Sequence, residues 1–167
     1  LSERSGYMTP TEVYVMGLLH DIGKMMIDQF APNELSTAWM LYSAGNMKMY
    51  QAEEATLGFH HGDMGAEIAR KWNFSEDLCM AIGFHHQPEL SPINKKSAYI
   101  VHIADGIAKT LDIGQGIVSD QDTKLEMDGI FKEENLKELN LTKDSVVDIR
   151  RDVSQKLKEI LNEMKAV

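Results

Sequence analysis

The sequence predicts an all-α fold, and three observations carry that prediction. Helix start signals recur along the chain: Thr9-Pro10-Thr11-Glu12, Ser75 ahead of Glu76 and Asp77, and Thr142. Apolar residues return at helical spacing, as in Ile100, Ile103, Ile107 and Leu111. No β-hairpin signal, internal repeat or low-complexity tract interrupts them.

Composition agrees with a single soluble domain. At 167 residues, 43% hydrophobic and 26% charged, the chain can bury a sizeable core. The net charge of −9 and pI near 5.1 exclude a broad nucleic-acid or anionic-membrane surface. The single cysteine, Cys79, excludes an intrachain disulfide framework and fits a reducing compartment. No run of about 18 apolar residues occurs and no signal-peptide pattern opens the chain, so the expected location is cytoplasmic.

Taken in order, Thr9 caps a helix with Pro10 at its first position and Glu12 closing a capping box. That helix is expected to run from Pro10 to about Phe30. Within it His20 and Lys24 are four residues apart and Asp21 and Lys24 three apart, so all three can face one concavity. Asn33 is read as the cap of a second helix ending near Gly45, and a third spans about Met47 to Thr56 before Gly58. His61 opens a helix to Trp72. Ser75 starts another that ends at His85-His86, before Pro88. Ser91-Pro92 precedes a longer helix that carries His102 and Asp105. Residues 112–130, rich in Gly, Asp and Gln, read as an ordered loop. Thr142 then caps a last amphipathic helix with Val146, Ile149, Val153, Leu157, Ile160 and Met164 on one stripe. The stripe resembles a heptad seam; packing on the core is the first reading of it and a homodimer contact the second. Trp39 and Trp72 are expected as core anchors, with Met25, Met26, Met47 and Met49 as core filling.

The histidines carry the functional signal. Five of the six fall in three dipeptides: His20-Asp21, His60-His61 and His85-His86, with His102 apart. Neutral imidazole and carboxylate are the natural ligands of divalent ions, so clusters of this kind suit a metal site. Each residue also has a simpler reading. His20 and Asp21 can be a buried polar pair, Lys24 a solvated lysine, and His61, His85 and His86 helix-end caps. Asp105 needs a partner on its apolar helix, either a metal or His102. His60 and His102 are left outside the ligand set, with Asp63 as a fallback ligand.

Four segments then come together: GLLHDIGK from Gly17, GFHHGDMGAEIARKWNFSED from Gly58, AIGFHHQP from Ala81 and VHIAD from Val101. As a set, spanning about residues 1–112, they resemble the HD superfamily of metal-dependent phosphohydrolases, and more closely its HDOD signalling branch. Glu53, Gly58, His61, Gly65, Ala66, Trp72, His85, His86, Pro88, Ala104 and Asp105 follow the HDOD order and correspond to the C-terminal half of that domain. The superfamily's further upstream histidine and the HDOD N-terminal helical half have no counterpart in these 167 residues.

The resemblance implies a compact HD-type helical bundle over residues 1–112, with 113–167 as a C-terminal extension. It implies His20, Asp21 and Asp105 as metal ligands, with His61, His85 and His86 forming a second site that Asp21 bridges. One or two divalent ions (Fe, Mn, Ni, Zn or Mg) would be held. Catalytic roles would fall to Asp21 and Lys24, the lysine meeting a phosphate oxygen as a point charge while activated water attacks a phosphate ester. Gln87-Pro88-Glu89 after His86 replaces the Gly-Tyr-Pro of cyclic-di-GMP-degrading relatives, so that activity is not expected. Three functions follow: a regulatory HDOD-like domain that keeps its metal, an active phosphohydrolase on a nucleotide or phosphodiester, and a metal-free scaffold. The partners expected are a signalling protein or a small phosphorylated ligand, with no nucleic acid and no membrane.

Overall fold

The computed structural model describes residues 1–45, 47–111 and 132–165. Among them there is no strand: the fold is all-α. The loop expected at residues 112–130 lies outside the described residues. The chain divides into two compact units, Met8–His102 and a second made of Leu1–Tyr7 with Ile103–Val167. No described helix is long and apolar enough to cross a membrane.

In the Met8–His102 unit, the expected capping box starts α2 (Pro10–Leu19). Thr9 Oγ1 accepts the Glu12 N–H at 3.3 Å, and Glu12 Oε2 accepts the Thr9 N–H at 2.9 Å. The helix does not continue to Phe30, however. It stops before His20-Asp21, where Asp21 takes φ −99 and ψ 9, and α3 (Ile22–Phe30) begins anew. The reason lies one residue later: a Cβ on Gly23 would sit 2.0 Å from the His61 carbonyl oxygen. Only glycine lets α3 press on that backbone, and the bend delivers it there.

Helix α4 (Pro32–Ser43) begins at Pro32, whose fixed φ suits the first helical position, so Asn33 lies inside the helix and is not its cap. Helix α5 (Met49–Leu57) ends on Gly58 in the left-handed region at φ 80, as expected of a glycine there. Helices α6 (His61–Lys71) and α7 (Glu76–Phe84) follow, Ser75 Oγ accepting the Leu78 N–H of α7 at 3.4 Å. A 3₁₀ turn, Pro88–Leu90, leads toward α8 (Lys95–Thr110). Every residue from Leu78 to Gly83 is buried, so α7 is the spine of this unit. Small residues on α6, namely Gly62, Gly65, Ala66 and Ala69, let its neighbours approach closely.

The tryptophans are not core anchors. Trp39 is 51% exposed and packs edge-on to Tyr42; Trp72 is 59% exposed and packs on Phe74. The core is filled largely by aliphatics and alanines, while Trp39 lies on an exposed face of α4 and Trp72 at the end of α6. Met25 is likewise exposed rather than core filling.

The second unit holds α1 (Ser2–Ser5), the end of α8, α9 (Glu133–Glu138) and α10 (Lys143–Lys165). Its buried apolar residues include Ile103, Ile107, Leu136, Leu139, Leu141, Val146 and Ile149. Thr142 caps α10, its Oγ1 accepting the Ser145 N–H at 3.2 Å, and Arg150 donates to Thr110 at the end of α8. The α10 stripe is buried only at Val146 and Ile149, while Val153, Ile160 and Met164 are exposed. Val146 and Leu157, Ile149 and Ile160, and Val153 and Met164 each recur after about eleven residues, the spacing of a nearly straight stripe rather than a heptad seam.

Candidate metal centre

Where α2 ends, α6 begins and α7 ends, five predicted residues meet. His61 Nε2 lies 2.8 Å from His86 Nε2, 3.4 Å from His85 Nε2 and 3.3 Å from Asp21 Oδ1. His85 Nε2 is 3.9 Å from the same Asp21 oxygen, and His20 Nε2 is 3.4 Å from Asp21 Oδ2. Two groups of ligand atoms result, His61 with His85 and His86, and His20 with Asp21 and His85. His85 is common to both.

Hydrogen bonding on the far side of each ring fixes what these nitrogens can do. A carbonyl oxygen only accepts, so the 2.7 Å contacts to Gly17 O and Ile82 O put protons on Nδ1 of His20 and His85. In the neutral rings Nε2 is then a bare lone pair aimed into the cluster. His61 Nδ1–H donates to Glu53 Oε2 at 2.5 Å, and the same oxygen accepts the His61 backbone N–H at 2.9 Å. Lone pairs facing one another at these distances repel unless a proton or a cation lies between them.

The charges here are those of a neutral imidazole beside an ionised carboxylate. Burial, reinforced by the proximity of His61 and His20, pushes the His85 imidazole well below its ordinary range, so it stays neutral. Burial also opposes ionisation of Asp21, but the close approach of His61 and the charges of Lys24 and His20 hold its carboxyl well below the usual carboxylate range. Asp21 Oδ1 is buried and without a hydrogen bond, an orphaned acceptor beside two imidazole nitrogens. Two carboxylates, Asp21 and Glu53, flank His61 on opposite ring nitrogens. This donor set fits a divalent ion.

Lys24 Nζ donates to Asp21 Oδ2 at 2.8 Å and remains partly exposed. Asp105 belongs to the second unit, where Oδ2 is 2.7 Å from Lys109 Nζ, and neither group of ligand atoms draws on it. His102 Nδ1–H donates to His85 O at 2.8 Å.

The HDOD domain family matches residues 1–88, more than half of the chain. The chain belongs to the HDOD domain family. Among solved structures, an HDOD domain protein of unknown function from Geobacter sulfurreducens is 29% identical with a TM-score of 0.62, over 91% of this chain and 56% of its own. A Shewanella amazonensis SB2B protein whose name proposes a phosphohydrolase shares the fold at 22% identity and a TM-score of 0.66, over 90% of this chain and 53% of its own. An uncharacterised Treponema pallidum (strain Nichols) protein is 27% identical over 79 residues, 47% of this chain and 15% of that protein. The chain thus spans about half the length of these two solved proteins.

Sequence reading missed several residues around the HDOD cluster. His60 is not idle: its Nδ1 accepts the Gly62 N–H at 3.0 Å and Asp63 Oδ2 accepts the His60 N–H at 3.0 Å, a capping box at the start of α6. Asp63, the fallback ligand, is therefore occupied as a cap. Burial lowers the His60 pKa, Asp63 partly offsetting it. His102 steadies the His85 backbone, and Tyr50 stacks on His86 at 4.6 Å and 12°. Glu53 was already marked by its place in the HDOD order ahead of Gly58 and His61, but its burial and its bond to His61 were not.

Proposed function

We propose that this chain is the metal-holding part of a regulatory HDOD domain. The observation that carries the reading is the convergence of three Nδ1-anchored rings on the Asp21 carboxylate, bare Nε2 of His61 and His85 beside its orphaned Oδ1 and that of His20 beside Oδ2. His61, His85, His86, His20 and Asp21 would hold one or two divalent ions (Fe, Mn, Ni, Zn or Mg). Such an ion supplies Lewis acidity and charge neutralisation when bound. The chain's own contribution is orientation: Gly17 and Ile82 carbonyls and Glu53 fix the ring tautomers, and Lys24 offsets the Asp21 charge. The same reading includes a signalling protein or small phosphorylated ligand as partner, a cytoplasmic location, and self-association through the exposed stripe of α10.

A second reading, hydrolysis of a phosphate ester, is favoured by one contact. Lys24 donates to Asp21 Oδ2 while remaining partly exposed, which supports a role in which its ammonium would meet a phosphate oxygen. Equilibrium dialysis against Mn²⁺, Fe²⁺, Ni²⁺, Zn²⁺ and Mg²⁺ tests the first reading. Wild type is expected to retain at least one ion per chain and Asp21→Ala none; retained stoichiometry in Asp21→Ala would sink the assignment. The second reading further requires turnover of bis(p-nitrophenyl) phosphate by wild type, lost in both Asp21→Ala and Lys24→Ala. A metal-loaded wild type without turnover leaves only the regulatory reading.

A further inference from the structure

Glu53 is completely buried on α5, and only one of its oxygens is used. Oε2 accepts both the backbone N–H and the ring Nδ1–H of His61, whereas Oε1 has no hydrogen bond. A half-satisfied carboxylate in a core is costly. Orientation alone does not account for it, because His85 and His20 are oriented by uncharged backbone carbonyls. What a carboxylate adds is charge.

We propose that Glu53 is a positioning residue for metal binding, which fixes His61 with Nε2 bare and passes negative charge through the ring to a cation there. The inference rests on the metal reading above. His61 is the ring where such tuning matters most, since its Nε2 contacts His86, His85 and Asp21 together. A carboxylate behind a ligating imidazole strengthens it as a donor, and loss of such a partner costs 10- to 100-fold in metal affinity as a rule. The two-point grip on ring and backbone also pins the first residue of α6, so that the side chain and the helix start are set by the same oxygen.

The rival account is a neutral clamp that merely joins α5 to α6. Glu53→Gln separates the two, because the amide oxygen still accepts both His61 bonds but carries no charge. Zn²⁺ and Mn²⁺ titrations of Glu53→Gln are expected to show affinity lowered about 10- to 100-fold, with unchanged far-UV circular dichroism and with imidazole ¹⁵N shifts still reporting an Nδ1-protonated His61. Glu53→Ala should in addition lose that tautomer preference. Affinity in Glu53→Gln within twofold of wild type overturns the charge role. If wild type binds no metal, the metal reading falls and the charge role with it; the ¹⁵N shifts of Glu53→Ala then decide the orienting role, which an unchanged tautomer overturns. Should Glu53→Ala fail to fold, Glu53→Gln carries the test alone.

Discussion

The two units bury different things. The second unit hides aliphatic side chains, Leu136, Leu139, Leu141, Val146 and Ile149, and leaves the outer half of α10 in solvent. The Met8–His102 unit hides Glu53, His60, His61 and His85 as well, among glycines and alanines. Aliphatic burial is roughly proportional to area and tolerates exchange of one residue for another of like size. A polar cluster depends on distances of about 3 Å, so the backbone around it is held by contacts that no side chain larger than hydrogen can share. The Met8–His102 unit should accordingly be the more fragile one at its small residues.

Gly23 is the sharpest break of that comparison. Gly23→Ala places a methyl 2.0 Å from a backbone oxygen that cannot rotate away, so a loss of about 3 kcal/mol or more is expected in urea denaturation. A loss under about 1 kcal/mol would show that α3 and α6 do not meet as described. Gly17→Ala is the control: a Cβ there meets nothing within 4 Å. As an ordinary helix glycine it should gain about 0.5–1 kcal/mol from the same change.

Acid sharpens the comparison next. His85 has its pKa lowered by burial, so below the ordinary imidazole value the unfolded chain takes up a proton that the folded one refuses. Its neutral burial therefore costs nothing above about pH 6.5, and stability falls as pH drops below that, by up to about 1.4 kcal/mol per pH unit. Asp21, whose pKa is depressed, has stability present above about pH 4 and lost as pH falls further. Denaturation of metal-free protein between pH 5 and 7 should show the first slope, and His85→Gln should flatten it; an unchanged slope would contradict the burial account.

The smallest effect belongs to α10. Ile160→Glu with Met164→Glu alters side chains already exposed, so unfolding free energy should move by less than about 0.5 kcal/mol. If α10 pairs two copies, size-exclusion chromatography should show wild type as a dimer and the double variant as a monomer. A dimer in both would place the contact elsewhere.

Much of this was legible in the sequence because it is local. Capping residues Thr9, Ser75 and Thr142, the stop at Gly58, and the pairing of His and Asp residues all act within a turn or two of helix. What escaped depends on distant contacts. The bend at His20-Asp21 follows from Gly23 meeting His61 O, which nothing near Gly23 announces. The roles of His60, His102 and Glu53 likewise appear only once α5, α6, α7 and α8 are brought together. Exposure of Trp39 and Trp72 was hidden for the same reason, since side-chain size says what could fill a core and not which helix face turns inward.

The central claim is that the cluster around His61 exists to hold a cation. Anomalous diffraction from crystals of Zn²⁺-loaded protein tests it most directly. The account predicts a peak about 2.0–2.1 Å from Nε2 of His61 and His85, with Asp21 Oδ1 no longer orphaned. A fully occupied ion elsewhere, with the His61 and His85 imidazoles unchanged and Oδ1 still unpartnered, would contradict it.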